Sequence, residues 1–245
     1  MTVALFVPCY VDLFYPHVAR ATWTLLERLG CRVEVPLSQT CCGQPLANAG
    51  FAEQARPVMA HFVQVFAAYD YIVAPSGSCV YHVRRHLEAA DADAVRRVQT
   101  RTYELCQFLR DVLRVEKISA YFPYRVVVHD SCHGLRGLGL GCPSERMQAS
   151  YSVVRDLLRQ VEGLELVEPS RPDECCGFGG TFAIEEAAVS VRMGQDRLED
   201  FLQAGAEVVT GTDMSCLMHL EGLARRQRLP LRFVHIAEIL TGNVP

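Results

Sequence analysis

The chain twice places vicinal cysteines before a glycine, as Thr-Cys-Cys-Gly at residues 40–43 and Glu-Cys-Cys-Gly at residues 174–177. Cys9 and Cys79 flank the first pair, and Cys132 and Cys216 flank the second. Thiolates are soft ligands suited to iron–sulfur clusters, zinc or copper, and four per half are enough for a four-iron cluster. The candidate cofactor and metal ligands are therefore Cys9, Cys41, Cys42, Cys79, Cys132, Cys175, Cys176 and Cys216. A histidine follows the last cysteine of each set by three positions, His82 and His219. Imidazole can ligate iron, or it can stay free and move protons near neutrality. A glycine after each pair lets the backbone adopt φ > 0 or approach a bulky inorganic group. Amides at Gly43, Gly77, Gly177 and Gly179 are candidate donors to sulfur. No catalytic residue is assigned.

Several residues carry a weaker signal. His17 and His129 lie near the cysteine loops, His133 directly follows Cys132, and Cys142 ends a glycine-rich loop. Asp130 suits either a strand-end cap or an orienting role. Cys31 and Cys106 fit core packing, as does Trp23, which sits in an apolar helical pattern. The glycine-rich run from Gly134 to Cys142 lacks the lysine-serine/threonine ending of a phosphate loop.

Elements must bring these residues together. Strand patterns occur at 3–7, 31–35, 71–74, 125–128, 164–167, 207–210 and 231–234. Helical patterns cover 16–29, 51–68, 103–113, 144–160 and 183–204, with others starting near Cys79 and Ala237 and a short one after Cys216. Strands alternating with helices predict parallel β-α-β units with right-handed crossovers. The cysteines fall at strand carboxyl ends, where such sheets bind ligands. The repeated order predicts an α/β protein of two duplicated Rossmann-like β-α-β lobes with parallel sheets and pseudo-twofold symmetry, the clustered loops facing a shared cleft. The first cysteine-rich lobe is residues 1–120 and the second is 121–245, with the boundary between Lys117 and Tyr124.

The composition narrows the class. Half of the 245 residues are hydrophobic, 21% are charged, and the formal net charge is −4. General disorder and a nucleic-acid partner are disfavoured. The opening apolar run has no basic leader and is too short to span a membrane. A cytoplasmic location follows, where eleven cysteines do not read as a disulfide framework.

A cysteine, a Cys-Cys-Gly element and a Cys-x-x-Cys element, in two copies, resemble the CCG cysteine-rich domain family. Within it the chain is similar to the lactate-utilisation protein A group, which is related to a component of heterodisulfide reductase. It departs from the family in both copies, with Cys79-Val-Tyr-His82 and Cys216-Leu-Met-His219 in place of Cys-x-x-Cys. The resemblance implies that the eight cysteines hold iron–sulfur clusters, two four-iron clusters in all; the same soft ligands also accept zinc, as a substitute or in one lobe. It implies electron transfer in L-lactate oxidation to pyruvate, alongside other iron–sulfur proteins of a complex and with a small organic substrate. Two other classes stand beside it: a metal-free thiol–disulfide reductase, and a zinc-stabilised scaffold or interaction protein.

Overall fold

Short apolar strands build two sheets in a computed structural model that describes residues 1–242. The first sheet contains β1 (Thr2–Leu5), β2 (Arg32–Glu34), β3 (Ile72–Ala74) and β4 (Thr102–Glu104), in the order β2-β1-β3-β4. The second contains β5 (Arg125–Val128), β6 (Glu165–Leu166), β7 (Val208–Gly211) and β8 (Arg232–His235), in the order β6-β5-β7-β8. Every pairing is parallel, with registers such as Val3 opposite Val33 and Val126 opposite Val208. The two orders correspond strand for strand, as a duplicated Rossmann-like plan requires. Strands β3 and β7 are buried along their whole length, which is why they read as unbroken apolar or small-residue runs rather than alternating ones.

Helices pack on these sheets. In the first lobe they are α1 (Cys9–Phe14), α2 (Pro16–Arg28), α3 (Gln44–Asn48), α4 (Ala52–Phe66), α5 (Gly77–His86), α6 (Ala92–Arg101) and α7 (Leu105–Asp111). The second lobe has α8 (Val153–Leu158), α9 (Phe182–Glu185), α10 (Ala187–Gln203), α11 (Met214–Gln227) and α12 (Ile236–Thr241). Helix α2 shows the local logic. Pro16 starts it where a missing N–H does no harm, and Val18, Ala21, Leu25 and Leu26 form its buried stripe.

Four sequence expectations need correction. The segment 103–113 is not wholly helical: its start completes β4, and Glu104 then caps α7 by accepting the Gln107 N–H. The segment 144–160 forms one tight turn at Ser144–Arg146, and helix begins only after Ser152, whose hydroxyl accepts the Arg155 N–H at 3.2 Å. The helix after Cys216 is not short, since α11 spans 14 residues. Trp23 is 39% exposed and is not a core residue.

One apolar cluster joins the lobes, with Val3, Leu5 and Phe108 from one side and Val126, Val208 and Ile236 from the other. Ile118 and Phe122, in the connecting segment, belong to that same cluster. Two further clusters lie around Phe6, Phe62 and Phe66 and around Val127, Phe201 and Val209, the second also taking in Val11 of α1 and Val18 of α2. Among the described residues no helix is long and apolar enough to cross a membrane.

Candidate functional site: a sulfur-lined cleft between the lobes

Each Cys-Cys-Gly element is a turn that aims an amide at its first cysteine. Gly43 has φ of 93° and Gly177 has φ of 85°. In this left-handed conformation the Gly43 N–H donates to Cys41 Sγ at 3.4 Å, and the Gly177 N–H donates to Cys175 Sγ, also at 3.4 Å. A side chain is excluded on two counts. The backbone conformation favours glycine, and a Cβ would lie 2.9 Å from Met59 Cγ at Gly43 or 2.6 Å from the Ser190 carbonyl oxygen at Gly177.

The donors converging on the first cysteine of each pair make it a thiolate. Hydrogen bonds from Cys42 and then Cys9, helped by the Gly43 amide, lower the Cys41 thiol to about 3. Its sulfur lies 3.9 Å from that of Cys9. Cys9 and Cys42 are correspondingly driven upward and keep their protons, and Cys42 also interacts with Cys79. The second lobe repeats the pattern. Hydrogen bonds from Cys132 and then Cys176 lower Cys175 to about 2, while Cys132 and Cys176 are raised.

Both sets open onto one place. Cys9, Cys42 and Cys79 from the first lobe and Cys132, Cys175, Cys176 and Cys216 from the second line a single cleft of about 440 Å³. Cys41 is half-buried beside the cleft lining, its sulfur against that of Cys9. Tyr10, Phe178 and Met214 add apolar wall, and the Tyr10 and Phe178 rings meet edge to face at 6.1 Å. A backbone seam lies where β3 and β7 end. Ser76 pairs with Asp213 in an antiparallel bridge, and the Gly77 N–H donates to the Thr212 carbonyl at 3.1 Å. The Ser78 N–H donates to Asp213 Oδ2 at 2.6 Å. Ser76 and Asp213 are also the N-caps of α5 and α11, each three positions before a cysteine of its set. Asp213 therefore caps its own helix and ties the lobes together. This role was not anticipated, although the matching offsets before Cys79 and Cys216 were a usable signal.

The histidines divide differently from expectation. His82 is buried behind the first turn, and burial lowers it to about 4, so it is neutral at neutral pH. Its Nε2 lacks a hydrogen-bond partner. His219 Nε2 is 3.5 Å from Ser190 Oγ, and that hydroxyl donates to the Gly177 carbonyl at 2.7 Å. Neither His82 nor His219 lines the cleft. His129 and His133 do. His129 is 2% exposed, burial and then Arg197 lower it to about 3, and its Nδ1 has no partner. Such an orphan costs about 1–3 kcal/mol when nothing binds it. His17 lies apart, 3.7 Å from Glu238. Asp130 pairs with Arg155 at 2.6 Å, and Cys142 lines a different pocket. Cys31 and Cys106 are core residues.

Metal-ligand spacing corrects the expected cofactors. Among the described residues one mixed group, His129, Cys176 and Cys216, places one donor atom from each within 4.8 Å of the other two. Neither four-cysteine set forms a group of this kind, so the all-cysteine groups expected for two four-iron clusters are not seen among the described residues. The first lobe instead presents hydrogen-bonded thiols, with Cys41 against Cys9 and Cys42 against Cys79. In the second lobe Cys132 is exposed, and the His129 imidazole joins Cys176 and Cys216.

Comparison with known proteins supplies the context. The family described as "CCG: Cysteine-rich domain" matches residues 3–84 and 126–221. The chain is 42% identical to "Lactate utilization protein A" of Geobacillus thermodenitrificans, over 98% of each protein. It is 41% identical to the protein of that name from Exiguobacterium, covering 99% of this chain and 98% of that one. It is 37% identical to "Lactate utilization protein A 1" of Bacillus mycoides, with the same coverages.

Proposed function

The chain belongs to the CCG cysteine-rich domain family and groups there with the lactate utilization A proteins, and we propose that it is an oxidoreductase component of a multiprotein assembly that oxidises L-lactate to pyruvate. That reaction releases two electrons and two protons, so the assembly needs a carrier between the hydroxy acid and its final acceptor. The observation that carries the reading is the convergence of both cysteine sets on one cleft. A site shared by two lobes is large enough for a small organic acid or for one group of a partner protein. The partners are the other proteins of the lactate pathway. The test is growth of the native host on L-lactate as sole carbon source. Removal of the gene abolishes growth, the intact gene restores it, and a gene carrying Cys42→Ser with Cys176→Ser does not. Normal growth without the gene refutes the reading.

The first lobe favours a second reading, thiol–disulfide chemistry. Cys41 is a thiolate and its sulfur is 3.9 Å from Cys9, so attacker and resolving thiol already adjoin. Cys41 would attack a substrate disulfide, forming one mixed disulfide and releasing one thiol after proton uptake. Cys9 would then displace the second thiol, leaving a Cys9–Cys41 disulfide and two reduced product thiols. Mass spectrometry of protein mixed with a small disulfide decides it: a Cys9–Cys41 linkage formed in step with thiol release supports exchange. Release without that linkage refutes it.

A further inference from the structure

Both lobes shape the mouth of the cleft in the same way. Each Cys-Cys-Gly turn leads into a short helix, α3 after Gly43 and α9 after Gly177. Each of these helices supplies cleft wall, with Pro45 and Asn48 on one side and Ala183 and Ile184 on the other. The same segments leave large apolar side chains in solvent. Leu46 and Phe51 are exposed after the first turn, and Ile184, at 81%, and Val189 are exposed after the second. Helix α1 adds Leu13, 71% exposed, and Phe14. The Phe14 ring is 6.5 Å from that of Tyr10, which stands on the cleft wall. Scattered exposed apolar residues are ordinary on a protein surface, but a set gathered on the elements that wall one opening marks an interaction site.

We propose that this rim docks one partner protein, which presents an apolar side chain flanked by lysines or arginines and bridges both lobes over the cleft mouth. The charges choose among possible occupants. In the rim segments 9–15, 44–54 and 178–191 the charged residues are Asp12, Glu53, Glu185 and Glu186, with no lysine or arginine. Glu53 meets Arg56 at 3.1 Å, and among the described residues the other three acids make no ion pair. The cleft wall beneath carries no lysine or arginine either. A second copy of this chain would set acid against acid, which costs affinity. An anionic membrane surface attracts basic segments and would repel this one. A basic partner instead neutralises the rim while its apolar anchor leaves water, the usual division between the core and the edge of an interface. The inference rests on the reading of the chain as a component of an assembly, and it deepens that reading by giving the surface used and the chemistry of the partner.

The probe is a photoactivated benzophenone amino acid, placed singly at position 13, 46 or 184 of the full chain in the native host. Position 121 is the control, because Tyr121 is also exposed but precedes β5, at the opposite ends of the strands. The expected result is that every rim position links to the same protein, at a segment rich in lysine or arginine, and that position 121 does not. That protein, purified, then binds the natural chain with an affinity that falls as salt rises. Phe14→Glu with Ile184→Glu weakens binding by at least roughly tenfold, the loss expected when central apolar anchors are removed. Glu185→Gln with Glu186→Gln flattens the salt dependence, and circular dichroism verifies that both variants are folded. Links between two copies of this chain, links to lipid, links from the two lobes to different proteins, or no link at any rim position overturn the proposal. So does binding that neither pair of substitutions changes. Growth on L-lactate is a separate readout. The expected links in a host that grows normally without the gene would refute the lactate reading and leave the docking surface standing. Missing links in a host whose growth needs the gene would do the reverse.

Discussion

At the scale of the residue, the glycine of each Cys-Cys-Gly turn and the sulfur before it act as one unit. The left-handed backbone aims the amide, and the amide with neighbouring thiols holds the sulfur as a thiolate. At about pH 6 an ordinary thiol is almost wholly protonated and slow to alkylate. Iodoacetamide is accordingly expected to label Cys41 well before Cys31 or Cys106, read by peptide mass spectrometry. Cys106 is raised by burial and has no exposure. Equal labelling would contradict the geometry. Gly177→Ala is expected to cost about 1–3 kcal/mol in urea unfolding, because it combines an unfavourable φ with a clash against the Ser190 carbonyl. Gly222 is the contrast. It lies inside α11 with nothing within 4 Å of a Cβ, so Gly222→Ala is expected to stabilise by about 1 kcal/mol. The cysteines were legible from their repeated order, since soft ligands on strand-end loops have few other uses. His129 was less legible. A lone histidine announces nothing by type, and its meaning comes from three-dimensional closeness to Cys176 and Cys216.

At the scale of the element, helix starts decide where side chains point. Ser76 and Asp213 begin α5 and α11 and thereby bring Cys79 and Cys216 to the cleft. Glu104 and His235 play matching parts at the ends of β4 and β8, where each caps the next helix from a buried position. Burial raises the Glu104 carboxyl to about 7. The folded chain thus holds this proton more tightly than the unfolded chain does. The stabilisation is fully present below the ordinary carboxylate range and is lost as pH rises through about 7, a change of about 3 kcal/mol. His235 behaves oppositely. Burial lowers it to about 4, so its contribution is present above the ordinary histidine range and fades as pH falls toward about 4. Subtracting the profile of Glu104→Gln from that of the natural protein isolates the carboxyl. Urea midpoints between about pH 5 and pH 8 should decline more steeply for the natural protein, and parallel profiles would refute the assignment. The strand–helix alternation was legible because buried parallel strands are short apolar runs bounded by turn residues. Strand β4 was not, because its three residues, Thr102–Glu104, run without a break into α7. Helix α8 was overextended because its apolar pattern continues backward past Ser152, the residue that in fact caps it.

At the scale of the whole molecule, the two lobes share one core and one seam. Val3 and Leu5 belong to the same apolar cluster as Val126, Val208 and Ile236, and the Ser78 amide crosses to Asp213. Unfolding by urea is therefore expected to be a single cooperative transition by fluorescence and by circular dichroism. Two separated transitions would contradict the shared core. The duplication and the merging of two cysteine sets onto one cleft were expected from the repeated order, but the seam from Ser78 to Asp213 was not, because the order of strands does not say how one sheet meets the other. That merging is the basis of the functional proposal, and L-lactate-dependent dye reduction tests it most directly. The assay compares oxygen-free extracts of the native host containing the natural chain, the Cys42→Ser and Cys176→Ser variants at equal abundance, or no chain. Each variant, altering a different lobe, is expected to fall to the rate of the extract without the chain. Dye reduction that persists at the natural rate in both variants would contradict a shared functional cleft.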